Sequence, residues 1–163
     1  MKQAKKILII GNKYHGKTTF ANFLVKHTEQ TEAFSTSSYL VYRLSLINNI
    51  SEENILKEKE KYRPDLIDLG NAMCSADAGC LVSICLWSST AKTTIIDGVR
   101  RLSEFSRVSE WFDHVVWVFR ESEPIGKDNL ELTEQNGNVT ILNDGSLDDL
   151  ESKAKEFIKQ YDL

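Results

Sequence analysis

Residues 11 to 18 read Gly11-Asn12-Lys13-Tyr14-His15-Gly16-Lys17-Thr18, a complete G-x-x-x-x-G-K-[ST] octapeptide. Its flanks constrain the fold as much as its letters. Lys6-Ile7-Leu8-Ile9-Ile10 reads as a short buried strand, and Thr18 onward reads as a helix with Phe20, Phe23, Leu24 and His27 near one face. Strand, glycine loop and helix in that order build a cradle for phosphate. Gly11 and Gly16 admit backbone conformations that a Cβ forbids, so successive N–H groups turn inward around an anion at the positive end of the helix. Lys17 is expected on the β and γ phosphates of a nucleotide and the Thr18 hydroxyl on Mg²⁺. Asn12, Lys13, Tyr14, His15 and Thr19 complete the expected nucleotide-binding stretch, with His15 read as a loop side chain and not as a base.

At 163 residues the chain is expected to be one domain, 1–163, with room for a real core. Apolar runs alternate with helical patterns, which predicts an α/β protein whose parallel sheet is covered by helices on both faces. Twenty Lys and Arg against 24 Asp and Glu give a net charge of -4, which argues against bulk nucleic-acid binding by phosphate neutralisation. Cys74, Cys80 and Cys85 are odd in number and contain no C-x-x-C pair, so they read as buried thiols, without a disulfide framework or zinc site. The apolar stretch Ile7 to Ile10 is too short for a membrane span or a signal peptide. A soluble cytoplasmic protein is the expectation.

Further along, Ala33 to Thr36 reads as a second strand, followed by a helix through Tyr39, Leu40, Arg43, Leu44 and Ile47. Ser51 before Glu52 and Glu53 predicts a capped helix start, and Pro64 is expected in the first turn of a helix bearing Leu66, Ile67, Leu69 and Met73. Ala76 to Trp87 reads as helix, Thr93 to Asp97 and His114 to Phe119 as strands, and Leu102 to Trp111 as helix. Glu121 to Asn138 reads as a polar connection, Val139 to Leu142 as the last strand, and Ser146 as the start of a closing helix.

A parallel sheet delivers its strand ends to one edge, so Ile95-Ile96-Asp97-Gly98-Val99-Arg100-Arg101 belongs beside the phosphate loop. Asp97 is placed in the Mg²⁺ shell, and either Arg100 or Arg101 clamps a phosphate with its planar fork of donors. Arg43 and Arg63, between the first and third strands, are candidates for anchoring a phosphoryl acceptor, and Arg120 for transferred phosphate or adenine. Ser37, within the cluster Ser35, Thr36, Ser37 and Ser38, is a candidate for a sugar or phosphate, or a helix cap. Trp87, Trp111 and Trp117 read as core or rim aromatics, and His27 and His114 as structural.

Four stretches, GNKYHGKTT, YRPDLIDLGNAM, DGVRRLSEF and LNDGSLDDLESKAKEFI, occur in the order found in P-loop nucleoside monophosphate kinases, and the chain resembles the phage-type deoxynucleoside monophosphate kinases most. The resemblance implies a three-layer P-loop NTPase fold with strand order 2-3-1-4-5, a helical acceptor-binding part at about residues 36–90, and ATP and Mg²⁺ at the loop. It also implies reversible transfer of the γ phosphate to a nucleoside monophosphate by a monomer or homodimer. By motif position, Arg100 is the arginine at phosphate, with Glu104 four residues on. Arg63 opens the acceptor region, Asn143 and Gly145 lie beside adenine, and Asp128 and Glu131 lie near the acceptor. The chain departs from that group in length and in its connection at 120–138, whose cations are Arg120 and Lys127. A nucleotide-binding regulatory module is the alternative. A GTPase switch is disfavoured by the absence of Asn-Lys-x-Asp.

Overall fold

The computed structural model describes residues 4–122 and 130–163. Five parallel strands form its centre: β1 (Lys5–Ile10), β2 (Thr31–Ser35), β3 (Thr93–Asp97), β4 (His114–Phe119) and β5 (Val139–Leu142). Their order across the sheet is β2-β3-β1-β4-β5, as the resemblance implied. Both faces are buried, which explains why β1 reads as a continuous apolar run and not as an alternating one. Ile7 and Ile9 point into one layer with Phe20, Leu24, Leu150 and Phe157, while Leu8 and Ile10 point into the other with Val82, Val108 and Phe112.

The first layer holds α1 (Lys17–His27) and α7 (Leu147–Tyr161). α7 begins as its sequence predicts: Ser146 Oγ accepts from the Asp149 N–H, and the Asp149 carboxylate accepts from the Ser146 N–H at 2.8 Å. The second layer holds α5 (Cys80–Ser88) and α6 (Leu102–Val108), with a 3₁₀ turn at Ser109–Trp111. Between β2 and β3 stand α2 (Thr36–Asn48), α3 (Glu52–Lys57) and α4 (Lys59–Met73). These three share a smaller apolar cluster of Val41, Leu44, Ile55 and Leu66. No helix among the described residues is long and apolar enough to cross a membrane.

Three boundaries differ from expectation. β2 starts earlier, at Thr31, and Thr36 already belongs to α2, because register with β3 pairs Thr31 with Thr93 and Ser35 with Asp97. Pro64 lies in the sixth position of α4, not the first turn, since helix resumes at Lys59 directly after α3. α5 starts at Cys80 and not at Ala76: the Asp77 carboxylate accepts from the Gly79 N–H at 2.9 Å, closing an Asx turn that holds the preceding residues out of the helix.

Candidate active site

The phosphate loop follows directly from β1. Gly11 has φ +142° and Gly16 +93°, both in the range that favours glycine. A Cβ on Gly11 would stand 2.3 Å from the Val118 carbonyl oxygen, and one on Gly16 would stand 2.3 Å from Asn143 Nδ2. Tyr14 also adopts positive φ, +67°, a strained choice for an aromatic residue of the kind that collects at functional sites. Gly16 is the N-cap of α1, whose first turn carries no acid, so the positive end of the helix faces the loop uncompensated. Lys17 Nζ donates to the Asn12 carbonyl at 2.6 Å, which holds the ammonium over the loop.

The residues between the glycines divide by exposure. Tyr14 is 72% exposed, with Lys13 Nζ 4.8 Å from its ring centre. His15 is fully buried: its Nδ1 accepts from the Arg120 N–H at 3.1 Å, and its carbonyl accepts from Asn143 Nδ2 at 3.0 Å. Arg120 in turn donates from Nε to the Asn143 carbonyl at 2.9 Å. His15, Arg120 and Asn143 therefore tie the ends of β4 and β5 to the back of the phosphate loop. Gly145 follows Asn143 in the turn before α7 and packs against Asp149, the capping acid of that helix.

Thr18 and Asp97 meet as the strand-end argument requires. Thr18 Oγ1 donates to Asp97 Oδ2 at 3.4 Å, and Asp97 is buried at the tip of β3. No group of three or more His, Cys, Asp or Glu side chains suited to a metal occurs among the described residues. One hydroxyl and one carboxylate beside a phosphate cradle are a donor set suited to Mg²⁺, which takes few protein ligands and completes its shell with water and substrate phosphate.

Helix α2 separates two cavities. Ser35, at its N-cap, lines a pocket of about 500 Å³ together with Ser38, Tyr39 and Tyr42 of the helix; this pocket reaches Thr18 and Asp97, and none of the described residues lining it is cationic. Thr36, Ser37 and Leu40 face a cleft of about 1090 Å³. That cleft is lined by Lys13, Lys59, Arg63, Arg100 and Arg101 as cations and by Glu60, Glu104 and Glu131 as acids. The helix α4 wall follows from period: Arg63, Leu66, Ile67, Gly70 and Asn71 of the helix, and Cys74 at its C-cap, are spaced three and four apart and share one face. Gly70 serves close packing, since a Cβ there would stand 3.3 Å from Leu40 of α2.

The cleft's charged groups are held by defined partners. Glu60 lies 3.7 Å from Lys13 Nζ and 3.5 Å from Arg63 Nη1, so one α4 carboxylate spans the phosphate loop and the Arg63 guanidinium. Arg101 Nη2 donates to Asn71 Oδ1 at 2.6 Å across the cleft. The half-buried Glu104 accepts from the Arg100 N–H at 3.4 Å, and burial pushes its carboxyl above the usual range. Glu131 Oε2 accepts from the Leu102 N–H at 2.7 Å, capping α6, while the Glu131 N–H donates to the Arg100 carbonyl at 2.9 Å.

The expected site residues thus sort by place. Arg63, Arg100, Ser37, Glu131 and Lys13 share the cleft, and both Arg100 and Arg101 line it. Arg43 is exposed on α2 and is not among the residues lining the cleft. Arg120 lies behind the phosphate loop. Asp128 is outside the described residues. Asn71, Glu60 and Cys74 were missed, although extending the period of three and four from Arg63 in both directions along α4 reaches all three.

The sequence matches no protein-family model and no curated protein. Among solved structures, the chain is similar to TT1252 from Thermus thermophilus, with a TM-score of 0.58 and 17% identity over 98% of each chain. It is also similar to the shikimate kinase of Aquifex aeolicus vf5, with a TM-score of 0.55 and 11% identity over 97% of this chain and 98% of that one. Similarity at these identities speaks for the fold, and it agrees with the strand order. The chain has the three-layer P-loop NTPase fold.

Proposed function

We propose that this protein is an ATP-dependent phosphotransferase that moves the γ phosphate of ATP to a (deoxy)nucleoside monophosphate, giving the diphosphate. The observation that supports it most is the cationic cleft opening beside the phosphate loop, lined by Arg63 of α4 and by Arg100 and Arg101 of the turn after β3. A phosphate-bearing acceptor fits this cleft better than the smaller pocket across α2, whose described lining holds no cation. The solved relative from Aquifex aeolicus is itself a kinase by name.

In this reading Lys17 and the loop amides hold the ATP phosphates, and Thr18 and Asp97 would hold Mg²⁺, which would supply neutralisation of phosphate charge. Arg63 and Arg100 anchor the acceptor phosphate, and Lys13 stands between the two ligands. Ser37 and Leu40 face the remainder of the acceptor. Transfer needs no covalent intermediate, because positioning and charge stabilisation supply most of the catalysis in phosphoryl transfer. His15 stays out of the chemistry: its ring is buried against Arg120.

The test is turnover with ATP, Mg²⁺ and each common ribo- and deoxyribonucleoside monophosphate, following ADP and the new diphosphate together. One or a few acceptors should yield both products, and Lys17→Ala should abolish them. ATP binding with no phosphorylated acceptor across the panel would instead favour a nucleotide-binding regulatory module.

A further inference from the structure

Cys74 and Cys80 bracket the turn between α4 and α5, and the Cys74 thiol donates to Cys80 Sγ at 3.7 Å. Neither is the inert buried thiol expected from sequence. Cys85, at 3% exposure in the core, is that kind of residue, whereas Cys74 lines the cationic cleft. A disulfide requires sulfurs about 2.05 Å apart, so closure takes a movement of about 1.7 Å.

We propose that Cys74 and Cys80 are an oxidisable dithiol at the edge of the acceptor cleft, closed by a peroxide to an intrachain disulfide that weakens acceptor binding. The disulfide itself is independent of the proposed function; its effect on the acceptor rests on that reading. Cys74 reacts first, being the thiol that faces the cleft. Its sulfur attacks one peroxide oxygen, the O–O bond breaks and water leaves, giving a sulfenic acid. Cys80 sulfur then attacks Cys74 sulfur, the S–S bond forms, the S–O bond breaks, and the hydroxide departs as water with the Cys80 proton. Two thiols lose two electrons in total and one peroxide becomes two waters. Burial, with Cys74 alongside, pushes the Cys80 thiol up to about 11, so the second step should quicken as pH rises above neutral.

The packing indicates which side moves. The Cys80 end is fixed: Leu81, Val82 and Cys85 of α5 are buried, and Asp77 accepts from the Gly79 N–H and from Arg107 Nε at 3.1 Å. The Cys74 end is the C-cap of α4, where its N–H donates to the Gly70 carbonyl at 3.0 Å. One turn back, Asn71 holds Arg101 across the cleft at 2.6 Å. Drawing Cys74 onto Cys80 therefore displaces the wall that fixes Arg101.

The test treats the full chain with hydrogen peroxide and reads intact mass, a non-reducing peptide map and steady-state kinetics. The expected result is loss of two hydrogens with a Cys74–Cys80 linked peptide, absent in Cys74→Ser and Cys80→Ser, present in Cys85→Ser and reversed by dithiothreitol. With an acceptor identified by turnover, its KM should rise about tenfold on oxidation, the size of a lost charge-assisted hydrogen bond, with the KM for ATP unchanged. Exclusively intermolecular disulfides, or oxygen adducts on single cysteines without the linked peptide, would overturn the dithiol. The linked peptide with an unchanged acceptor KM would overturn its effect on the cleft. Because the mass readout needs no acceptor, a protein without kinase turnover would refute the proposed function and leave the dithiol to be judged separately.

Discussion

Thr18 Oγ1 donates to Asp97 Oδ2 at 3.4 Å, joining the first turn of α1 to the tip of β3 across 79 residues of sequence. This pairing puts a hydroxyl and a buried carboxylate beside the phosphate cradle, where together they can hold a divalent ion. Asp97→Asn should keep the fold and lower Mg²⁺-dependent turnover by about a hundredfold or more, the scale seen when a transition-state charge stabiliser is removed. Turnover measured across a Mg²⁺ titration checks this, and the midpoint should move to higher metal concentration.

Arg63 and Arg100 line the cleft from different elements, α4 and the turn after β3. Replacing either with Ala should raise the acceptor KM about ten- to a hundredfold, as expected for a lost hydrogen bond to a charged group, while ATP binding stays within about twofold. Arg43→Ala is the matched control. Exposed on α2 and not among the residues lining the cleft, it should leave both parameters within about twofold.

The carboxyl of Glu104 is held above its usual value of 4.5, chiefly by burial. An acid raised in the folded state costs stability as pH climbs through that raised value, and the cost vanishes below 4.5, where the group is protonated both folded and unfolded. Glu104→Gln, whose amide oxygen still accepts from the Arg100 N–H, should raise Tm at neutral pH. That gain should shrink toward pH 4.5, and thermal melts at several pH values read it directly.

Gly11→Ala would place a Cβ 2.3 Å from the Val118 carbonyl oxygen at a φ of +142°. Both backbone strain and the clash oppose it, so the variant should lose at least ~2 kcal/mol, roughly 4–8 °C in Tm for a chain of this size. Differential scanning calorimetry without nucleotide isolates this effect from any loss of binding.

The phosphate loop and the Thr18–Asp97 pairing were legible because each follows from local pattern plus one rule, that parallel strands end on one edge, whereas the strand order was implied by the resemblance alone. Side-chain destinations were less so. Arg43 and Arg63 look alike in sequence, yet Arg63 falls on the α4 face that lines the cleft, and Arg43 is exposed on α2 and not among the lining residues. Arg120 reads as a substrate cation, but its Nε is committed to the Asn143 carbonyl, a partner 23 residues away that local reading does not reach. His15 shows the same limit, being a loop residue by position and a fully buried strut by packing. The cleft face of α4 was recoverable in full from helical period once Arg63 was chosen as its origin.

A bisubstrate compound, adenosine joined through a polyphosphate chain to a nucleoside, measures most directly whether the phosphate loop and the cationic cleft form one continuous path. Calorimetric titration with Mg²⁺ should show such a compound binding at least about a hundredfold tighter than ATP, because linking makes the second contact intramolecular. Lys17→Ala should remove most of its affinity, and Arg100→Ala should remove the advantage over ATP. Affinity no greater than that of ATP across linker lengths and nucleosides, or an advantage indifferent to Arg100→Ala, would contradict a two-ligand site.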